Sequence, residues 1–139
     1  MINMKQITFA ALLFFLTSFA FSQEKTYQLS SHILDISKGA PASGVTIKLE
    51  KQNPDTKKWF FIDEKTTDVN GRIGDFLNSA NDNLGIYKLT YLVSDYFKKS
   101  NTETFYPFIE VVFEIKDKKQ HYHVPITLSA FGYSTYRGN

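Results

Sequence analysis

Three side chains in this 139-residue sequence suit proton chemistry near neutrality: His32 in LSSHILD, and His121 and His123 in HYHVPITL. An unperturbed imidazole titrates around pH 6.5, so it can both take and give a proton at physiological pH. Two of the three stand two residues apart. On a strand, side chains alternate, so His121 and His123 share a face with Pro125 and Thr127. The opposite face carries Tyr122, Val124, Ile126 and Leu128, a core stripe. The histidines therefore look away from the core, onto a face that is either wet or covered by another surface.

Two chemistries suit such a set. H-x-H on a strand places two imidazoles within reach of one zinc ion, and His32 would complete a three-His site. The other chemistry is general acid–base catalysis on an electrophilic carbonyl, which also needs a cation or donor to hold the developing oxyanion. Only two arginines occur, Arg72 in DVNGRIGD and Arg137 in the terminal YRGN; every other cation is a lysine. A fixed guanidinium beside the imidazoles would favour acid–base work and oppose a bound metal. The plainer role for Arg72 is a solvated residue at the start of a strand after an Asn-Gly turn. The sequence contains no cysteine, which removes thiol chemistry and thiolate ligands. It also has no Gly-rich phosphate loop, no G-x-S-x-G and no paired-carboxylate pattern.

The elements that must position these residues are strands. Helical periodicity is nearly absent and period-two alternation recurs. Val45, Ile47 and Leu49 oppose Thr46, Lys48 and Glu50; Ile109, Val111, Phe113 and Ile115 oppose Glu110, Glu114 and Lys116; Tyr87, Leu89, Tyr91 and Val93 share a stripe. With QLSSHILD, KWFFIDEKT, RIGDF, HYHVPITL and GYSTYR this predicts eight strands, divided by turn signals such as SKGAPASG, NPDTKK, DVNG and NSANDN. Aromatic residues, 16% of the chain, suit strands. The expected fold is all-β, a two-sheet sandwich. One short helix is expected in SDYFKKSNTE, with Ser94 and Asp95 as competent N-caps and Pro107 beyond its end.

The first 22 residues read differently. Lys5 precedes an apolar run from Ile7 to Phe21, and Ala20 and Ser22 supply small residues at the minus-three and minus-one positions of a cleavage site. That pattern predicts a secretory signal peptide over 1–22 and a single domain over 23–139. The run is short for a spanning helix, which needs about 20 apolar residues. The expected location is therefore periplasmic or secreted, with no membrane association after cleavage. The formal charge of +2, one of which leaves with Lys5, gives no electrostatic case for nucleic acid.

LSSHILDISKGAPASGVTIKLE, TTDVNGRI, SDYFKKSNTETFYPFIEVVFEI and HYHVPITLSAFGYSTYRGN resemble, in order and spacing, the 5-hydroxyisourate hydrolases, enzymatic relatives of transthyretin. The resemblance spans Leu29 to Asn139, and its terminal block is the most specific part. It implies an eight-stranded transthyretin-like (prealbumin-like) sandwich with one short helix, assembled as a homotetramer whose active sites lie between dimers. It implies hydrolysis of 5-hydroxyisourate, at a lactam carbonyl, to 2-oxo-4-hydroxy-4-carboxy-5-ureidoimidazoline in urate degradation, with no cofactor or metal. By motif position, the catalytic residues are His32, Arg72 and His123. Substrate is held by His32, Arg72 and Tyr136, with His121, Ser134, Arg137, Gly138 and Asn139 in support. The resemblance further suggests that His32 and His123 activate the water, one imidazole holding the other's tautomer. Transthyretin lacks the two histidines and the arginine, which disfavours a carrier. The chain departs from the family at its end, Asn139 standing where serine is usual, and in its leader. An exported, non-catalytic binding module of the same fold is the alternative, and an adhesive sandwich domain a third; retention of all three residues tells against both.

Overall fold

The computed structural model describes residues 26–139; the proposed leader and its cleavage point lie outside the described residues. The chain runs β1 (Tyr27–Asp35), β2 (Ala40–Pro41), β3 (Thr46–Gln52), β4 (Trp59–Thr66), β5 (Arg72–Asn78), β6 (Gly85–Tyr91), helix α1 (Val93–Lys99), β7 (Ile109–Ile115), β8 (Tyr122–Ser129) and β9 (Gly132–Thr135). Eight of these strands are those the alternation predicts. The addition is the two-residue β2, whose Pro41 and Ala40 pair with Leu34 and Asp35.

Two sheets result. One has the order β4-β3-β6-β7, all antiparallel. The other runs β5-β1-β8-β9, with the short β2 also on β1. Its centre is the parallel pair β1–β8, from Leu29 opposite Tyr122 to Asp35 opposite Leu128. Between the sheets lie Leu29, Ile33, Ile47, Leu49, Phe76, Leu89, Ile126 and Leu128, all fully buried. A buried polar hub beneath the β1–β8 pair adds to the register: Ser31 Oγ donates to the Val124 carbonyl at 2.8 Å, and the Tyr91 hydroxyl reaches the same carbonyl at 3.1 Å. A one-residue slip would break that hub and turn every core side chain outward.

The helix forms, but not with the expected caps. Leu92 occupies the N-cap position and no side chain caps the helix. The reason is continuity: the Leu92 amide still donates to Thr46 O across the sheet, so the chain passes directly from β6 into α1. Val93, assigned by alternation to the strand stripe, is buried as the first helical residue instead. Val93 and Phe97 are both buried, one turn apart, and tertiary packing supplies what a cap would. Asn101, with φ of 50°, closes the helix by returning its amide to Lys98 O.

Candidate active site

Three neighbouring strands bring the sequence-predicted residues together on the outer face of one sheet. In the antiparallel β1–β5 pair, His32 lies directly opposite Arg72. In the parallel β1–β8 pair, Ser30 lies opposite His123 and His32 opposite Pro125. Period-two alternation then puts Ser30 and His32 on the face away from the buried Leu29, Ser31 and Ile33. Pro125, expected to be outward with the histidines, is buried on that face, and Thr127 is half-buried.

The turn before β5 aims Arg72. Asp68 Oδ1 accepts from the amides of Asn70 at 2.8 Å and Arg72 at 2.9 Å, an Asx-type turn that folds DVNG back on itself. Gly71 has φ of +68°, and a Cβ there would sit 2.6 Å from the Ile33 carbonyl. Its own carbonyl accepts from the Ile33 amide at 2.9 Å. Only glycine fits, and the close approach it allows fixes Arg72 beside His32. The Arg72 side chain is exposed at the rim of the sheet.

Electrostatics set the state of His32. Its pKa is lowered from 6.5, first by burial and second by the Arg72 charge; a hydrogen bond to the Asn70 backbone and the Asp68 carboxylate oppose this without reversing it. His32 is thus neutral at pH 7. His121 and His123 both converge on Ser30: its Oγ lies 2.8 Å from His121 Nε2 and 2.8 Å from His123 Nδ1. His121 Nδ1 lies 3.0 Å from the Tyr27 carbonyl. Sequence reasoning missed Ser30, although alternation with His32 places it on the same face. Ser30 thus holds His123 at Nδ1.

The C-terminal residues divide. The Gly138 amide donates to His123 O at 2.9 Å, and the two residues form an antiparallel bridge. Gly138 lies flat against the His123 ring, so a Cβ there would collide with it. Arg137 turns elsewhere: its guanidinium stacks 5.3 Å from the Tyr122 ring centre and donates to Gln120 Oε1 at 2.6 Å. Tyr136 is exposed and, with His123, Arg137 and Thr135, lines a cleft of about 640 Å³ along β7 that neither His32 nor Arg72 enters. Ser134 is exposed and hydrogen-bonds Thr127 at 2.7 Å, and Asn139 is exposed at the end. The cleft meets the chemistry only at His123, because the His32–Arg72 face is open on a single chain.

Among the described residues no three His, Asp or Glu side chains converge as a metal ion requires. His121 and His123 each direct a ring nitrogen at the Ser30 hydroxyl, which is not the arrangement of two zinc ligands. A neutral imidazole beside a guanidinium, with a second imidazole one strand away, is an arrangement for activating water and holding an anion.

The model of the HIUase/Transthyretin family matches residues 29–138, which span every residue just described except Tyr27 and Asn139. The chain belongs to that family. A probable 5-hydroxyisourate hydrolase of Caenorhabditis elegans is 47% identical over 114 residues, covering 82% of this chain and 83% of its own. The 5-hydroxyisourate hydrolase of Mus musculus is 36% identical over 111 residues, covering 80% and 94%. Among solved structures, that of Klebsiella pneumoniae 5-hydroxyisourate hydrolase superposes with a TM-score of 0.68 at 34% identity, covering 80% of this chain and 98% of that one. Sea bream transthyretin in complex with thyroxine gives 0.75 at 28% identity, covering 80% and 94%. Backbone likeness therefore does not separate the 5-hydroxyisourate hydrolase from the thyroxine-bound transthyretin.

Proposed function

We propose that this chain hydrolyses 5-hydroxyisourate to 2-oxo-4-hydroxy-4-carboxy-5-ureidoimidazoline. The observation that carries the reading is the cross-strand register that sets His32 opposite Arg72 and seats His123 one strand away on the same face. Curated relatives named 5-hydroxyisourate hydrolase support it. Arg72, planar and permanently charged, binds the anionic heterocycle and stabilises charge growing on the lactam oxygen. His123 takes a proton from water as its oxygen adds to the carbonyl carbon. His32, kept neutral, orients that water. Collapse of the tetrahedral intermediate breaks the carbon–nitrogen bond, the ring nitrogen takes a proton, and the ring opens. Tyr136, which lines the cleft beside His123, is assigned to substrate contact, with His121, Ser134, Arg137, Gly138 and Asn139 in support.

The working form is a homotetramer in this reading. An open catalytic face binds a small planar ligand weakly, since such sites are ordinarily concave. A second subunit over β5-β1-β8 would close it, and exposed Phe105, Phe131, Tyr133 and Tyr136 are apolar surface available for burial. Export to a periplasmic or secreted location, with cleavage after Ser22, rests on the leader sequence alone. Sedimentation equilibrium should give four chains, and N-terminal sequencing of the exported protein should begin at Gln23. The activity is tested by following ultraviolet decay of freshly generated 5-hydroxyisourate and identifying the product. Decay no faster than in buffer would refute the reading.

A further inference from the structure

The bonds around Ser30 have a direction, and that direction is set by a group that cannot donate. The Tyr27 carbonyl only accepts, so the bond at 3.0 Å requires His121 Nδ1 to carry a proton. With the ring neutral, His121 Nε2 is then an acceptor. The Ser30 hydroxyl, 2.8 Å away, must give its single proton to that nitrogen. The Ser30 oxygen, its proton committed, can only accept from His123 Nδ1 at 2.8 Å. His123 is thereby the Nδ1–H tautomer, and its lone pair lies on Nε2, the ring nitrogen farther from its own backbone.

We propose that Ser30 and His121 are positioning residues that transmit the polarity of the Tyr27 carbonyl to His123 and hold it in the tautomer whose Nε2 is basic. The inference rests on the hydrolase reading for its consequence, since it explains why His123 and not His121 is the base. His121 has spent Nδ1 on the backbone and Nε2 on serine. His123 is the next ring in the same chain, and its bond to Ser30 through Nδ1 leaves the basic lone pair on Nε2. It also accounts for the H-x-H spacing: two residues along one strand is the separation at which two rings reach one hydroxyl on the neighbouring strand. Gly138 completes the setting, because its bare α-carbon lets the His123 ring lie flat between Ser30 and the tail. When water attacks, its proton passes to Nε2, and the imidazolium that forms keeps its Nδ1–H bond to Ser30, as the orienting partner of a catalytic histidine should.

The test uses 15N-histidine-labelled protein without substrate, in which the shifts of the two ring nitrogens identify each tautomer directly. Wild-type His123 and His121 should both be neutral Nδ1–H rings near pH 7.5. In Ser30→Ala, His123 should relax to a mixture, and kcat for 5-hydroxyisourate should fall about 10- to 100-fold, a share of what a general base contributes, with KM little changed. Ser30→Thr keeps the hydroxyl and should recover most of kcat. His121→Gln retains an acceptor near Nε2 and should lie between Ser30→Thr and Ser30→Ala. An Nε2–H tautomer for wild-type His123, or a doubly protonated His121, would reverse every bond after it and overturn the proposal. So would a folded Ser30→Ala with wild-type kcat. An inactive wild type that still shows the Nδ1–H tautomer would instead sink the hydrolase reading and leave the relay standing.

Discussion

The two sheets present polar outer faces built from the same alternation, yet the charges on them are handled in opposite ways. On β3-β6-β7, Lys88 pairs across the strands with Glu50 at 3.0 Å and Glu110 at 3.1 Å, and lies 4.9 Å from the Trp59 ring centre. Burial, the largest single influence, would lower its pKa, but the hydrogen bonds to the two carboxylates and their negative charges together raise it. That cation is neutralised within the sheet. On β5-β1-β8 the cation is Arg72, and its cross-strand neighbour is a neutral imidazole. The nearby Asp68 has turned one carboxylate oxygen to backbone amides. In the function proposed above, this is the face on which Arg72 serves a ligand. On the other face, Lys88 is paired within the sheet.

The contrast between the faces is greatest at His123. His123→Ala should lower kcat by about 10²–10⁴, the usual worth of a positioned general base, with little change in melting temperature. Arg72→Ala should cost about 10²–10³ in kcat/KM, by analogy with other oxyanion donors, and Arg72→Lys should restore only part. The same substitution carries an independent signature. Burial remains the first cause of the depressed His32 pKa, but the Arg72 charge is the second. Removing it should raise the His32 pKa, measured by NMR titration, so that the acidic limb of the rate profile moves to higher pH.

Gly138→Ala should reduce kcat by about 10-fold, because the added methyl must displace either the tail or the His123 ring. Steady-state rates beside melting curves would separate this from unfolding. The smallest kinetic effect belongs to the other face. Lys88→Met should leave kcat/KM unchanged and cost about 1 kcal/mol of stability, between the worth of exposed and fully buried pairs. A large loss of activity in Lys88→Met would mean the two faces are not functionally distinct.

Much of this was legible from local pattern. Alternation is plainest in β1, β3, β6, β7 and β8, which each bury one stripe, whereas β4 and β9 bury none and were legible from strand-forming residues between turn signals. The helix was legible, but its start was not: Ser94 and Asp95 look like caps, whereas the Leu92–Thr46 hydrogen bond belongs to a strand whose partner is remote in sequence. His32, Arg72, His121 and His123 could be singled out by type. Their assembly could not, because the β1–β8 pairing joins Ser30 to His121 across 91 residues and leaves no periodic trace. Ser30 was hidden for the same reason; a serine beside a histidine is unremarkable until the strand opposite is known. Arg137 was grouped with the site by motif, and what the motif could not show is that its side chain rests on Tyr122 and Gln120 at the edge of the cleft His123 lines.

In the proposed function, the outer face of β5-β1-β8 hydrolyses 5-hydroxyisourate through Arg72 and its neighbouring imidazoles. The most direct measurement is kcat/KM from ultraviolet decay of freshly generated 5-hydroxyisourate, for wild type beside Arg72→Ala at matched concentration and confirmed fold. Wild type should accelerate the decay well beyond buffer, and Arg72→Ala should lose about 10²–10³ of that acceleration. A wild type no faster than buffer, or an Arg72→Ala variant as fast as wild type, would contradict the account.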